Sequence, residues 1–225
     1  WRRVARIAAM VAVVGVTMIS PRLTRLDVDW VPGDHPQPMN RAAKSVATGA
    51  DGRSWTIQVQ FDSPPAGVPR KAQYRNAEVW QDLRKVPGAA RGGLIGQALH
   101  ATVELPADLP VDKDSPVSLQ LALKVGDQFE EIRTTFNVPP STRREGRVLG
   151  GGTVHLVLPL DQVTLQRVMA TGLDDRLVEI KRVGNRPVEP HGVRMVGVRI
   201  VAPPELSRYE GEFVLRDVYV VPFSD

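Results

Sequence analysis

Trp55-Thr56-Ile57-Gln58-Val59-Gln60-Phe61 is the stretch on which the fold turns. Apolar and polar side chains alternate without a break. A period of two places Trp55, Ile57, Val59 and Phe61 on one face of a strand and Thr56, Gln58 and Gln60 on the other. The same period recurs downstream: Leu99, Ala101, Val103 and Leu105 share a face, as do Val117, Leu119, Leu121, Leu123 and Val125. Gly126-Asp127 predicts a turn, with Ile132, Thr134, Phe136 and Val138 returning as the hairpin partner. Val154, Leu156, Leu158 and Leu160 open another series, followed by strands near 177–183, 193–201 and 213–221, with Gly197 expected to mark a bulge.

Two short helices are predicted among these strands. Residues 77–86 carry Val79, Trp80, Leu83 and Val86 on one helical stripe, with Asn76 as N-cap and Pro87-Gly88 as the stop. Residues 162–171 follow Asp161 as N-cap and end before Gly172. Pro and Gly punctuate the chain before the first strand and again from Pro139 to Gly152. The expected architecture is therefore mainly β. A transmembrane anchor helix (1–21) leads into an extended tether (22–53), on which Trp30 and Val31 dock. Two small antiparallel β-sandwich-like domains (54–139 and 153–225) follow, joined by a linker (140–152). No internal repeat is evident.

The anchor is read from an uncharged run between Ile7 and Ser20. No Ala-x-Ala cleavage pattern precedes Pro21, so retention is expected rather than removal as a signal peptide. As a helix, residues 4–21 reach roughly 27 Å, close to the ~30 Å hydrocarbon thickness. Trp1, Arg2, Arg3 and Arg6 are the expected membrane-interface anchors, with Arg6 snorkelling to the headgroups. The arginines favour a cytoplasmic N-terminus, preceded by a short stub, and a periplasmic body at a bacterial inner membrane. Arg22 and Arg25 weaken that bias. Ala5, Ala8, Ala12 and Gly15 line one helix seam, where small side chains let a second transmembrane helix approach closely.

Composition narrows the chemistry. The chain has 225 residues, a net charge of +4 and no cysteine. Disulfides, thiolate metal sites and cysteine nucleophiles are excluded. No basic block with interleaved aromatics occurs, so nucleic acid is not an expected partner. Nucleophile elbows, zinc-protease helices and phosphate loops are missing from the sequence. The four histidines, His35, His100, His155 and His191, are widely spaced. His100 and His155 fall on polar strand faces and read as solvated; a two-histidine metal site across paired strands would need carboxylates that the pattern does not place. Asp27 and Asp29, Asp112 and Asp114, and Asp174 and Asp175 read as turn formers or solvated faces. Gly92-Gly93-Leu94-Ile95-Gly96 reads as a turn around a buried apolar pair. Trp55 and Trp80 read as core, with a sugar platform as their functional alternative.

No catalytic, cofactor-binding or metal-ligating set is assigned from these residues. The leading expectation is a non-catalytic, single-pass membrane-anchored accessory subunit. Its extracytoplasmic β body would assemble with other transmembrane subunits of a larger complex in the lipid bilayer. An anchored module that binds an envelope glycan or a solute is the second expectation. An anchored hydrolase with a dispersed site is the third.

Overall fold

The structure, a computed structural model, describes residues 24–25, 29–33, 41–64, 66–70, 73–83, 97–112, 114–125, 130–138, 142–144, 147–149, 151–159, 178–181 and 193–222. The strands are β1 (Thr24–Arg25), β2 (Val31–Pro32), β3 (Ala43–Thr48), β4 (Ser54–Phe61), β5 (Arg75–Asp82), β6 (Gln97–Leu105) and β7 (Ser118–Val125). They continue as β8 (Glu130–Asn137), β9 (Thr142–Arg144), β10 (Arg147–Leu149), β11 (Gly152–Pro159), β12 (Val178–Lys181), β13 (Val193–Ala202) and β14 (Tyr209–Pro222). Two antiparallel sheets face each other. The first runs β11-β6-β14-β4-β3, with β1 beside the far end of β14. The second runs β12-β8-β7-β13-β5-β2, and β9 and β10 pair separately. Among the described residues no helix is long and apolar enough to cross a membrane; the expected anchor lies outside them.

The alternation read from sequence builds the core. Trp55, Ile57, Val59 and Phe61 of β4 are buried, as are Leu99, Ala101 and Val103 of β6 and Phe213 and Leu215 of β14. They meet Val79, Leu119, Leu121, Leu123, Val198 and Ile200 from the second sheet in one apolar cluster. Burying two such faces removes large apolar areas from water, at ~25 cal/mol for each Å².

Several expectations change. Residues 77–82 form a strand, not a helix: β5 pairs with β13 from Met195↔Asp82 to Ala202↔Arg75. The spacing of Val79, Trp80 and Leu83 fits a helical stripe, but Ala77, Val79 and Leu83 also share a strand face, and pairing to β13 decides. The stretches expected as two domains share both sheets, since β14 pairs with β4 and β6 while β13 pairs with β5 and β7. The expected tether contributes β1, β2 and β3. Trp30 enters the core, its ring 6.0 Å from that of Trp55. Pro32 sits in the edge strand β2, where a missing N–H is tolerated. The expected helix at 162–171 lies outside the described residues.

Gly197 is not a bulge. It stands in register opposite Trp80 and Ala122, and the irregularity of β13 falls between Val193 and Met195. A Cβ at Gly197 would overlap the Trp80 indole, so glycine there makes room for the ring to lie against the sheet.

Arg75 ties the crossings between the sheets together. It is 3% exposed, and its guanidinium donates to the carbonyls of Asp62, Pro203 (2.8 Å) and Leu206. Asp62 follows β4 on the way to the second sheet, and Pro203 and Leu206 lie on the return from β13 to β14. One planar, multiply donating cation thus satisfies carbonyls on both crossings.

Two substitutions test this packing. Gly197→Ala should lower stability by ~1–3 kcal/mol through overpacking, read as a shifted urea midpoint. Arg75→Met, which keeps the stem but strips the donors, should cost about 3 kcal/mol. A midpoint equal to that of the parent chain would remove Arg75 from this role.

Candidate binding face of the first sheet

The outward face of the first sheet carries a set of rings, with His155 exposed and His100 and Tyr219 half-buried. On β6, Leu99, Ala101 and Val103 are buried, so period two turns His100, Thr102 and Glu104 outward. On the adjoining strand β11, Val154, Leu156 and Leu158 are buried and His155 and Val157 face out. The register sets His155 opposite Thr102 and Val157 opposite His100. The two imidazoles are therefore diagonal neighbours. His100 Nδ1 and His155 Nε2 are 3.0 Å apart, and His155 Nδ1 lies 3.2 Å from Thr102 Oγ1. One proton occupies the space between the imidazoles in either tautomer consistent with these contacts.

β14 completes the face through an irregularity. Strict alternation from Phe213 and Leu215 would carry Tyr219 inward. The register shifts between Arg216 and Tyr219, where Asp217 has φ 49°. That left-handed residue, a conformation in which Asp is more tolerable than most side chains, lets two successive residues point to solvent. Val218 is buried, and Arg216 and Tyr219 both face out. Tyr219 stacks on His100 with centroids 4.9 Å apart and planes 5° from parallel. Arg216 reaches Glu104 with Nε–Oε1 2.7 Å and a second contact of 3.2 Å. Gln58 of β4 donates to Glu212 on the same face. Exposed pairs like these add little stability and leave their groups available to a ligand.

Burial holds the His100 pKa below the ordinary histidine value, and the adjacent His155 adds to the effect. Tyr209, at the start of β14, donates to Asp108 Oδ1 (3.1 Å). Its pKa is raised by burial first and by the Asp108 charge second.

The second sheet presents a different outward face. Glu78 accepts from Arg199 Nε (2.7 Å) and from Trp80 Nε1 (3.1 Å), and Arg199 also donates to Gln120 Oε1 (2.9 Å). Gln120 Nε2 donates to Thr135 Oγ1 (3.2 Å), and Lys124 lies 4.0 Å over the Trp80 ring. Glu78, Trp80 and Arg199 are all buried. This row joins four strands and has the character of a structural network.

No family model and no curated protein sequence matches the chain. Among solved structures the chain finds distant matches. One is from work on promiscuous specificity in carbohydrate-binding modules of the β-sandwich superfamily, at 10% identity and TM-score 0.46, covering 89% of this chain and 61% of that one. An agarase matches at 7% identity and TM-score 0.38, over 88% of this chain and 25% of that one. SGBP-B, from a complex xyloglucan utilization locus in Bacteroides uniformis, matches at 16% identity and TM-score 0.33, over 86% and 45%. The chain thus spans less than two thirds of each of these structures. Likenesses this distant carry no ligand or activity across.

The sequence put His100 and His155 on polar strand faces, where they are; it did not foresee that they touch. No group of three His, Cys, Asp or Glu able to hold a metal occurs among the described residues. His35 and His191 lie outside them, as do Trp1, Arg2, Arg3 and Arg6 and the seam of Ala5, Ala8, Ala12 and Gly15. Trp55 is core, as expected, and Asp112 accepts from the Asp114 amide (2.8 Å) in a local turn. Trp80 is buried, but on the outward side of its sheet. Tyr219, Thr102, Glu104 and Arg216 were not singled out. Period two could have found Thr102 and Glu104 beside His100; the bulge hid Tyr219.

The His100 shift has a defined sign. The unfolded chain takes up the proton near the ordinary value of 6.5, and the folded chain does so at lower pH. Stability from this group is therefore full above 6.5, falls as the pH drops through that value, and levels off below the folded pKa. Urea midpoints should decline between about pH 7 and 5, and His100→Asn should flatten the decline. An equally steep profile in the variant would assign the decline to other groups.

Proposed function

We propose that the chain is a non-catalytic binding module for an envelope glycan, with the outward face of the first sheet as its binding surface. One observation carries the reading: the Tyr219–His100 stack and the Arg216–Glu104 pair stand side by side on β6 and β14. A sugar presents C–H surfaces that pack on rings and hydroxyl pairs that bond a carboxylate or guanidinium in two-pronged fashion. Gln58, Thr102 and Glu212 add further donors and acceptors on the same face. Paired strands hold these groups rigidly, which lowers the ordering cost of binding.

An accessory subunit of a membrane complex is the competing proposal. It draws on residues 1–21 and their small-residue seam rather than on this face. The two readings separate in one set of measurements on the full chain in mild detergent. Affinity electrophoresis against soluble envelope and plant polysaccharides should retard the chain. Tyr219→Ala and Arg216→Ala should each weaken retardation about tenfold, equivalent to ~1.4 kcal/mol, while Asp114→Ala leaves it unchanged. Absence of retardation by every polysaccharide, together with stable co-purification of membrane subunits, would replace the glycan reading with the subunit one.

A further inference from the structure

The imidazole pair at the centre of this face has a geometry that sugar binding does not require. At metal–nitrogen bonds of about 2.0–2.1 Å, two nitrogens on one four-coordinate ion stand roughly 2.9–3.4 Å apart, from square-planar to tetrahedral. His100 Nδ1 and His155 Nε2 are 3.0 Å apart, within that span. We infer that these two nitrogens form a two-imidazole site for a divalent transition ion of the Cu2+, Ni2+ or Zn2+ class, with its remaining positions open to water or an exogenous ligand.

The neighbours of the pair suit this chemistry. For both nitrogens to offer lone pairs, His155 must carry its proton on Nδ1 and His100 on Nε2. With the proton on His155 Nδ1, Thr102 Oγ1 at 3.2 Å accepts it, an outer hydrogen bond of the kind that orients a metal-bound imidazole. Tyr219, stacked on His100 at 5°, restrains the plane of the second ring. The ring centroids are 5.2 Å apart, so the two nitrogens point almost directly at each other, and both rings turn about their Cβ–Cγ bonds, a broad torsion, to aim their lone pairs at one centre. In the neutral pair one proton moves from the contact to the other nitrogen of its own ring, and none is released. No third His, Cys, Asp or Glu joins the pair among the described residues, so the site supplies two protein donors. The backbone need not move, because antiparallel pairing of β6 and β11 already sets the register.

The probe is Cu2+ alone, which heads the affinity order for nitrogen sites, titrated into the full chain in chelator-free buffer. Calorimetry should give one ion per chain, and electron paramagnetic resonance should show coupling to two nitrogens. His100→Gln and His155→Gln should each weaken binding at least tenfold and reduce the coupling to one nitrogen. The double variant His35→Gln, His191→Gln should bind like the parent chain. Thr102→Val, which preserves the strand shape, should weaken binding several-fold with an unaltered circular dichroism spectrum. Loss of the two-nitrogen signal in the His35, His191 variant but not in His155→Gln would overturn the assignment. Failure of Cu2+ to bind the parent chain would do the same. Neither result bears on polysaccharide retardation, which is measured without metal.

Discussion

The clamping of β14 between β4 and β6 is the constraint on which the first sheet depends. Residues 209–216 bond to β4 on one side, and residues 214–222 bond to β6 on the other. A strand with neighbours on both sides satisfies its backbone donors and acceptors within the sheet, and no shift of register is possible without turning Phe213 and Leu215 out of the core. β13 holds the equivalent place in the second sheet, between β5 and β7. The last third of the chain therefore organises strands laid down before residue 126. Such pairings are non-local, and their loop-closure cost is recovered only when the two apolar faces meet. Arg75 stands where this happens, joining the path out of β4 to the path into β14.

The two outward faces solve the same problem differently. On the second sheet, Glu78, Arg199, Gln120 and Trp80 are buried and bonded to one another, as charged and amide groups removed from water must be. On the first, His100, His155, Tyr219, Glu104 and Arg216 meet at rings and pairs that solvent still reaches. Buried groups already engaged with each other have little left to offer a ligand. Partly exposed rings held on paired strands do, and the proposed binding face is accordingly that of the first sheet. The Asp217 bulge is the device that assembles it, because period two cannot place Arg216 and Tyr219 on one side.

How legible each feature was follows from the range of the interaction behind it. The strands at Trp55–Phe61, Leu99–Leu105 and Val117–Val125 were readable because alternation is a local record of one-sided burial. β5 was not, because Val79 and Leu83 share a face in a helix and in a strand alike, and Trp80 joins them only in the helix; what lies alongside decides between the two. Gly197 looked like an interruption and is instead the cleared space beneath Trp80. Trp30 and the strands near it, read as tether, belong to the sheets because their partners are distant in sequence. The contact between His100 and His155 depends on the pairing of β6 with β11, 55 positions apart at the two rings.

The sequence by itself determined the β character of the chain, the inward faces of most strands, the outward placement of His100 and His155, and the exclusion of cysteine chemistry. These follow from side-chain identity and a two-residue period. Tertiary structure decided that the strands make two shared sheets rather than two successive domains. It also decided that residues 77–82 are a strand, that Arg75 joins the crossings, and that a bulge turns Tyr219 onto His100. Each of those outcomes rests on hydrogen bonding and steric fit between residues remote in sequence, and a local pattern carries no record of which distant strand will be its neighbour.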